Sequence, residues 1–294
     1  MSIINRTAGL VCLFMAATAP ATQAGLVMKS VVSSDGKDKD SDSQNARMTI
    51  SVQDKGMRMD YVESNNPQFK KGDCVITADG GQTFFIVQAQ DKTYMPFDTA
   101  MAGGVMSMMN LKASDTKSEL LLDEAGPKIL GYPTRHTKVL LSYIMEMNFM
   151  GMKQKNQISQ EMETWATTQI DASPFEAWAK NMARSMGNKE IDELMKMSMK
   201  HAKGVPLKAI SAITTTEKSG KKTTKTTVTE VIEIKEQPLS LKLFQIPEGY
   251  KNLMEDMPKA DESGSDGSSS SEQGDAPRPR GKGPSLSDMF KMAR

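Results

Sequence analysis

Cysteine is nearly missing from this chain of 294 residues, which holds only Cys12 and Cys74. Cys12 falls in a leader segment considered below, so Cys74 is left alone and no intramolecular disulfide can form. Beside Val75 and Ile76 it reads as a small buried hydrophobe. Histidine is as scarce, with His136 and His201 only, and no Cys/His spacing suits zinc. A surplus of charge is also lacking. The chain has 37 basic and 36 acidic residues, and loss of Arg6 with the leader leaves 36 against 36. A nucleic-acid partner, which needs a basic surplus, is therefore not expected. The sequence has no Walker loop, no dinucleotide fingerprint and no Gly-x-Ser-x-Gly elbow, so a serine–histidine–acid triad lacks its setting. The expectation is a protein without catalysis and without a cofactor. No apolar run reaches the length of a membrane span.

Residues 1–24 are distinctive. Arg6 gives a short positive start, and Thr7 to Pro20 is almost uncharged, with Leu10, Val11, Leu13, Phe14 and Met15 at its heart. Thr22-Gln23-Ala24 ends on small residues at the two positions that a signal peptidase reads. This is the pattern of a cleaved secretory signal, and it points to the periplasm. Val11 is bulky where a lipidation site needs a small residue before its cysteine, so Cys12 is not read as a lipid anchor.

Methionine is abundant, with 25 residues, while aromatics make up 5%. The methionines cluster at 101–109, 145–152 and 182–199. Flexible thioethers fill irregular core volume and also suit surfaces that adapt to variable apolar partners. Met-x-Met pairs such as Met57/Met59 and Met145/Met147 share a face if they lie on strands, so a soft Cu(I) site is the least favoured of three readings, and no metal ligand is assigned. The same spacing also writes an ordinary core face.

Alternation predicts strands over much of 26–63, with Ser33 to Asn45 as a flexible loop and Gln53-Asp54-Lys55-Gly56 as a turn. A hairpin follows over 74–88 around Asp79-Gly80-Gly81, and a strand at 93–95. Residues 99–111 fit a small helix or flap. Further strands are expected at 119–123, within 134–149, within 157–169, at 207–216, at 223–234 and at 239–246. On 134–149, Leu141, Tyr143, Met145, Met147 and Phe149 point one way. Ser173-Pro174-Phe175-Glu176 is a capping box with proline at the first helical position. Phe175, Trp178, Met182 and Met186 then recur at helical spacing, and Asn188 caps a second helix that ends before Gly204. From 255 the chain is rich in Ser, Gly, Asp, Glu and then Pro, Arg and Lys, which predicts a disordered tail. Leu286, Met289 and Phe290 give it a short amphipathic end suited to a protein partner.

Five phrases occur in order: Gly56-Met57-Arg58-Met59-Asp60, Lys92-Thr93-Tyr94-Met95, Gly131-Tyr132-Pro133-Thr134, Glu163-Thr164-Trp165-Ala166, and Phe244-Gln245-Ile246-Pro247-Glu248-Gly249-Tyr250. Together they resemble the DUF4412 family of exported bacterial proteins, over roughly residues 25–252. That family is similar in architecture to periplasmic lipoprotein carriers of the LolA/LolB/LppX type. The resemblance implies an α+β class: a curved antiparallel sheet, an incomplete barrel, with helices packed on its concave face. In the carriers that hollow holds acyl chains. The chain departs from them in its methionine excess, its tail and its lack of a lipidation cysteine.

The domain expectation is a signal at 1–24, a half-barrel at 25–254 and a tail at 255–294. The functional expectation is a periplasmic protein that binds or shields a lipid, a lipoprotein acyl chain or another apolar ligand. Met59, Phe85, Met95, Tyr143, Met145, Met147 and Trp165 would line the cavity, under a lid helix carrying Trp178. The alternative is an interaction protein that works through its tail.

Overall fold

The structure, a computed structural model, describes residues 25–36, 44–98, 111–149, 152–182, 189–201 and 203–255. The expected signal, the 99–110 flap and the tail beyond 255 lie outside these residues. Twelve strands form one sheet. They are β1 (Gly25–Gly36), β2 (Gln44–Gln53), β3 (Gly56–Ser64), β4 (Cys74–Thr77), β5 (Thr83–Gln88), β6 (Thr93–Asp98), β7 (Lys112–Ile129), β8 (Tyr132–Phe149), β9 (Met152–Thr167), β10 (Val205–Thr216), β11 (Lys222–Gln237) and β12 (Lys251–Asn252). The spatial order is β12-β6-β5-β4-β3-β2-β1-β11-β10-β9-β8-β7. Every pairing is antiparallel except that of β12 with β6, which is parallel. The sheet is open, with β7 and β12 as its edges.

Local chemistry explains the hairpins. Asp54 at φ 52° turns β2 into β3, and Leu130 and Gly131 at φ 51° and 85° turn β7 into β8. The β4–β5 turn is tied by Asp79. Its carboxylate accepts from Thr77 Oγ1 at 2.9 Å and from the backbone N–H groups of Gln82 at 2.9 Å and Thr83 at 3.1 Å. Gly80 and Gly81 supply the positive φ angles that this turn needs.

The α+β class with helices packed on a concave face does not hold. Only two α-helices are described, α1 (Ser173–Met182, 10 residues) and α2 (Lys189–Met199, 11 residues), against twelve strands. The described residues are mostly in the sheet. The segment from Ser173 to Met182 does form helix, but Ser173 lies inside it with its hydroxyl donated to Asp171 while the Glu176 N–H bonds the Ala172 carbonyl, so the expected capping box is not made, and the stretch is too short to make a layer. The threonine- and lysine-rich segments instead extend into strands of 12 to 18 residues between β7 and β11. Neither described helix is long and apolar enough to cross a membrane.

Register sorts side chains between two faces. Met28, Ile50 and Met59 lie opposite one another across β1, β2 and β3, and this front face continues through Val75 and Ile86 to Met95. On the far side of β1 it includes Val231, Ala209, Met162, Val139 and Leu141. Two apolar clusters sit here. One joins Met28, Ile170, Val205, Leu207 and Val231, and the other joins Val52, Met57 and Phe84; Phe175 of α1 packs against both.

The back face of β4–β6 is covered by the segment after β11. Cys74, Ile76 and Val87 pack with Phe244, Leu239 and Tyr250. The strand expected at 239–246 is a 3-10 turn, Leu241–Phe244, capped by Ser240. This turn inserts Phe244 over Gly56, where a Cβ would stand 2.5 Å from the ring. Any larger residue at 56 would push the ring out of its seat.

Candidate functional site

The front face of β7–β10 is apolar in a row and partly roofed. Val139 and Leu141 are buried on β8, with Met162 beside Val139 on β9. The end of α2 stands over this row and leaves a hollow of about 730 Å³. Its floor is Leu120, Val139, Met162, Ala166, Pro206 and Ala209, with Thr137 and Thr164 paired across its middle. Its rim is charged. Arg135 pairs with Asp123, and Lys200, His201 and Lys203 approach from the chain after α2. The Asp123 carboxyl is held below the usual carboxylate range chiefly by the Arg135 hydrogen bond; desolvation opposes this, and the Arg135, Lys203 and His201 charges add to the drop.

A second hollow of about 240 Å³ lies on the same face at the other end of the sheet. Met57, Met59, Phe69, Val75, Phe84, Ile86 and Phe97 line it, with Thr77 as its one polar side chain among the described residues. Tyr61 stacks on Phe69 at 4.6 Å between ring centroids and fixes that ring at the end of the hollow. A third space, about 1050 Å³, opens between the far ends of β7–β11 and is lined by Lys112, Glu146, Lys153 and other polar residues.

The sequence-predicted site residues are divided by this geometry. Met59 lines the small apolar hollow, and Met95 shares its face. Tyr143 and Met145 continue the front row of β8 beyond Leu141, and Met147 borders the polar space at the strand ends. Burial raises the Tyr143 hydroxyl above its ordinary value. Phe85 and Trp165 face the other way. Phe85 packs in the back cluster under Phe244, edge-on to Tyr94. Trp165 stacks on His136 at 4.3 Å with the rings 10° from parallel, and Lys208 Nζ stands 5.6 Å from its centroid. Trp178 lies on α1, and its side chain is outside the described residues. None of the seven whose side chains are described lines the 730 Å³ hollow.

The back-face histidine has a structural setting. His136 Nε2 is 2.7 Å from Glu163 Oε1, and its Nδ1 is 3.5 Å from Glu124. Two carboxylates and a stacked indole hold the ring on a strand, with no nucleophile placed against it among these contacts. Among the described residues no group of three His, Cys, Asp or Glu side chains could hold a metal. The Met57/Met59 pair does share a face, but Met57 is 8% exposed among Val52 and Phe84, a hydrocarbon setting.

What sequence reading missed is the rim. Arg135 is two residues before Thr137 and four before Val139, on the same strand face, so the alternation placed it correctly in principle. Lys200-His201-x-Lys203 reads as ordinary helix-end chemistry. Only the fold shows that both segments meet over one apolar floor.

The fold and these hollows define a single-sheet β domain with a largely apolar front face. The chain belongs to the DUF4412 family, a domain of unknown function, whose match covers residues 38–250. No curated protein matches it. Among solved structures, the crystal structure of a LolA-superfamily protein from Nitrosomonas europaea is similar at 9% identity. That match covers 76% of this chain and 91% of the other, with a TM-score of 0.28.

Proposed function

We propose that the protein is a non-catalytic binder of hydrocarbon chains that works in the periplasm. The observation that carries this reading is the 730 Å³ hollow, whose floor sets six apolar side chains around the Thr137–Thr164 pair and whose roof is the end of α2. Its volume lies in the range of about 300–1,000 Å³ typical of small-molecule sites. The signal-like residues 1–24 support the compartment. Burial of hydrocarbon contributes about 0.8 kcal/mol per methylene. Ten buried methylenes thus give about 8 kcal/mol, from which association removes at least about 4 kcal/mol. What is left corresponds to a dissociation constant near 1 mM, so a longer chain or a headgroup contact is needed for tight binding.

Ala166 is the residue to test. It is 9% exposed and lies in the floor between Arg135 and Pro206. Ala166→Phe fills the hollow with a ring. Native mass spectrometry of the purified wild type should show adducts of lipid mass, and a fluorescent fatty acid should be taken up. The A166F protein, with its circular dichroism unchanged, should lose both. A bare protein mass together with no probe uptake by the wild type rejects the reading.

A further inference from the structure

We infer that the 730 Å³ hollow selects an anionic amphiphile, a single hydrocarbon chain ending in a carboxylate or phosphate. This rests on the reading that the hollow takes a hydrocarbon chain, and it adds the sign of the headgroup. The rim carries three fixed cations, Arg135, Lys200 and Lys203, with one carboxylate, Asp123, among the described lining residues. The surplus is two positive charges before His201 is considered. The C-terminal end of α2, at Met199, compensates only part of this, since a helix end carries about half a negative charge. In register Arg135 stands beside Ala166 at one end of the floor, and the Val139–Met162 pair lies four residues further along the strands, so a charged end and an apolar stretch follow one another as they do in a fatty acid.

The partners differ in what they can offer. Arg135 is engaged by Asp123, which leaves Lys200 and Lys203 as the groups that meet a headgroup. Lysine is a point charge with rotatable donors and no fixed fork. The site therefore reads sign and reach, and accepts either a carboxylate or a phosphate. Both lysines are exposed, so their effect is weakened by salt.

Displacement of a neutral fluorescent alkyl probe measures this directly, using dodecanoate, dodecyl phosphate, dodecanol and dodecyltrimethylammonium as competitors at low ionic strength. Dodecanoate and dodecyl phosphate should each bind about five- to tenfold tighter than dodecanol, with the trimethylammonium weakest. Lys200→Gln with Lys203→Gln should abolish that preference, so that dodecanoate and dodecyl phosphate bind no tighter than dodecanol. Raising salt to 0.5 M should do the same to the wild type. Equal binding of dodecanoate and dodecanol overturns the headgroup inference while the hydrocarbon reading stands. Failure of all four competitors, and of the probe itself, removes the hydrocarbon reading. A preference that survives in the double variant assigns the charge to another part of the surface and equally overturns the inference.

Discussion

Cys74 shows how a single residue is governed by its surroundings. It is 1% exposed under Phe244, and burial pushes its thiol up to about 11, with Arg58 opposing and Asp60 and Asp73 adding to the rise. Thiolate, the reactive form, is then about 100-fold scarcer than for a thiol at 9. In protein lacking residues 1–24, which hold Cys12, Ellman's reagent at pH 8 should therefore titrate no thiol in the native state and one after denaturation. Rapid native labelling would show that the cover formed by 239–250 opens freely. The sequence anticipated a buried thiol from Val75 and Ile76. It could not anticipate that Phe244, 170 positions away, supplies the lid, because a stretch alternating Leu239, Leu241 and Leu243 looks like a strand. Leu241 is in fact 64% exposed, and Ser240 winds the segment into a 3-10 turn.

Among the elements, the β4–β5 hairpin depends on one side chain. Burial alone would raise the Asp79 carboxyl, but hydrogen bonds from Thr83, Thr77 and Gln82 outweigh it and hold the group below the usual carboxylate range. A group with a depressed folded value stabilises the fold above its unfolded value, about 3.9, and loses that contribution as pH falls through the folded one. Asp79→Asn should cost about 1–2 kcal/mol at pH 7 in urea unfolding. The gap from wild type should shrink as pH falls below that unfolded value, and a gap independent of pH would contradict this account. The turn was legible because Asp-Gly-Gly states its own geometry. The rows of β8 were legible for a similar reason, since alternation survives along Leu141, Tyr143 and Met145. The length of β7 was not. Its pairing with β8 shifts register at three places, Ser114/Lys117, Leu120/Leu122 and Gly126/Ile129, and each shift breaks the two-residue period that reading relies on. The α1 and α2 segments were legible as helices, yet their small share of the fold was hidden. Local signals report that a helix forms and say nothing of how far its flanking strands run.

The whole molecule is held as one unit by the cluster at its centre. Leu207 is fully buried and packs in the cluster that joins β1, β10 and β11 through Met28, Val205 and Val231. Leu207→Ala should cost about 2–5 kcal/mol, the range for large-to-small changes in a core. Trp165 and Cys74 lie on opposite sides of β1 in the sheet order, so they report on both halves. If the sheet is a single cooperative body, then in a Trp178→Phe background, where Trp165 is the one tryptophan left, fluorescence and thiol protection should be lost together in the variant, at the same lowered urea midpoint. Separate midpoints would mean that β1–β6 and β7–β11 unfold independently. The candidate site follows the same logic at this scale. Its floor comes from four strands and its rim from β7, β8 and the chain after α2, so no short stretch of sequence contains it.

The first described strand sits in the middle of the sheet, between β2 and β11. Its residues 25–36 are matched with partners at 225–237, about 200 positions later. A ribosome or a secretion pore delivers the beginning long before the end. Throughout that interval β1 has one neighbour and a bare second edge, and contacts so remote in the chain form slowly. The half-finished sheet is therefore the most vulnerable species in this protein's life, open to capture by any stray strand until its own late arrival closes the gap.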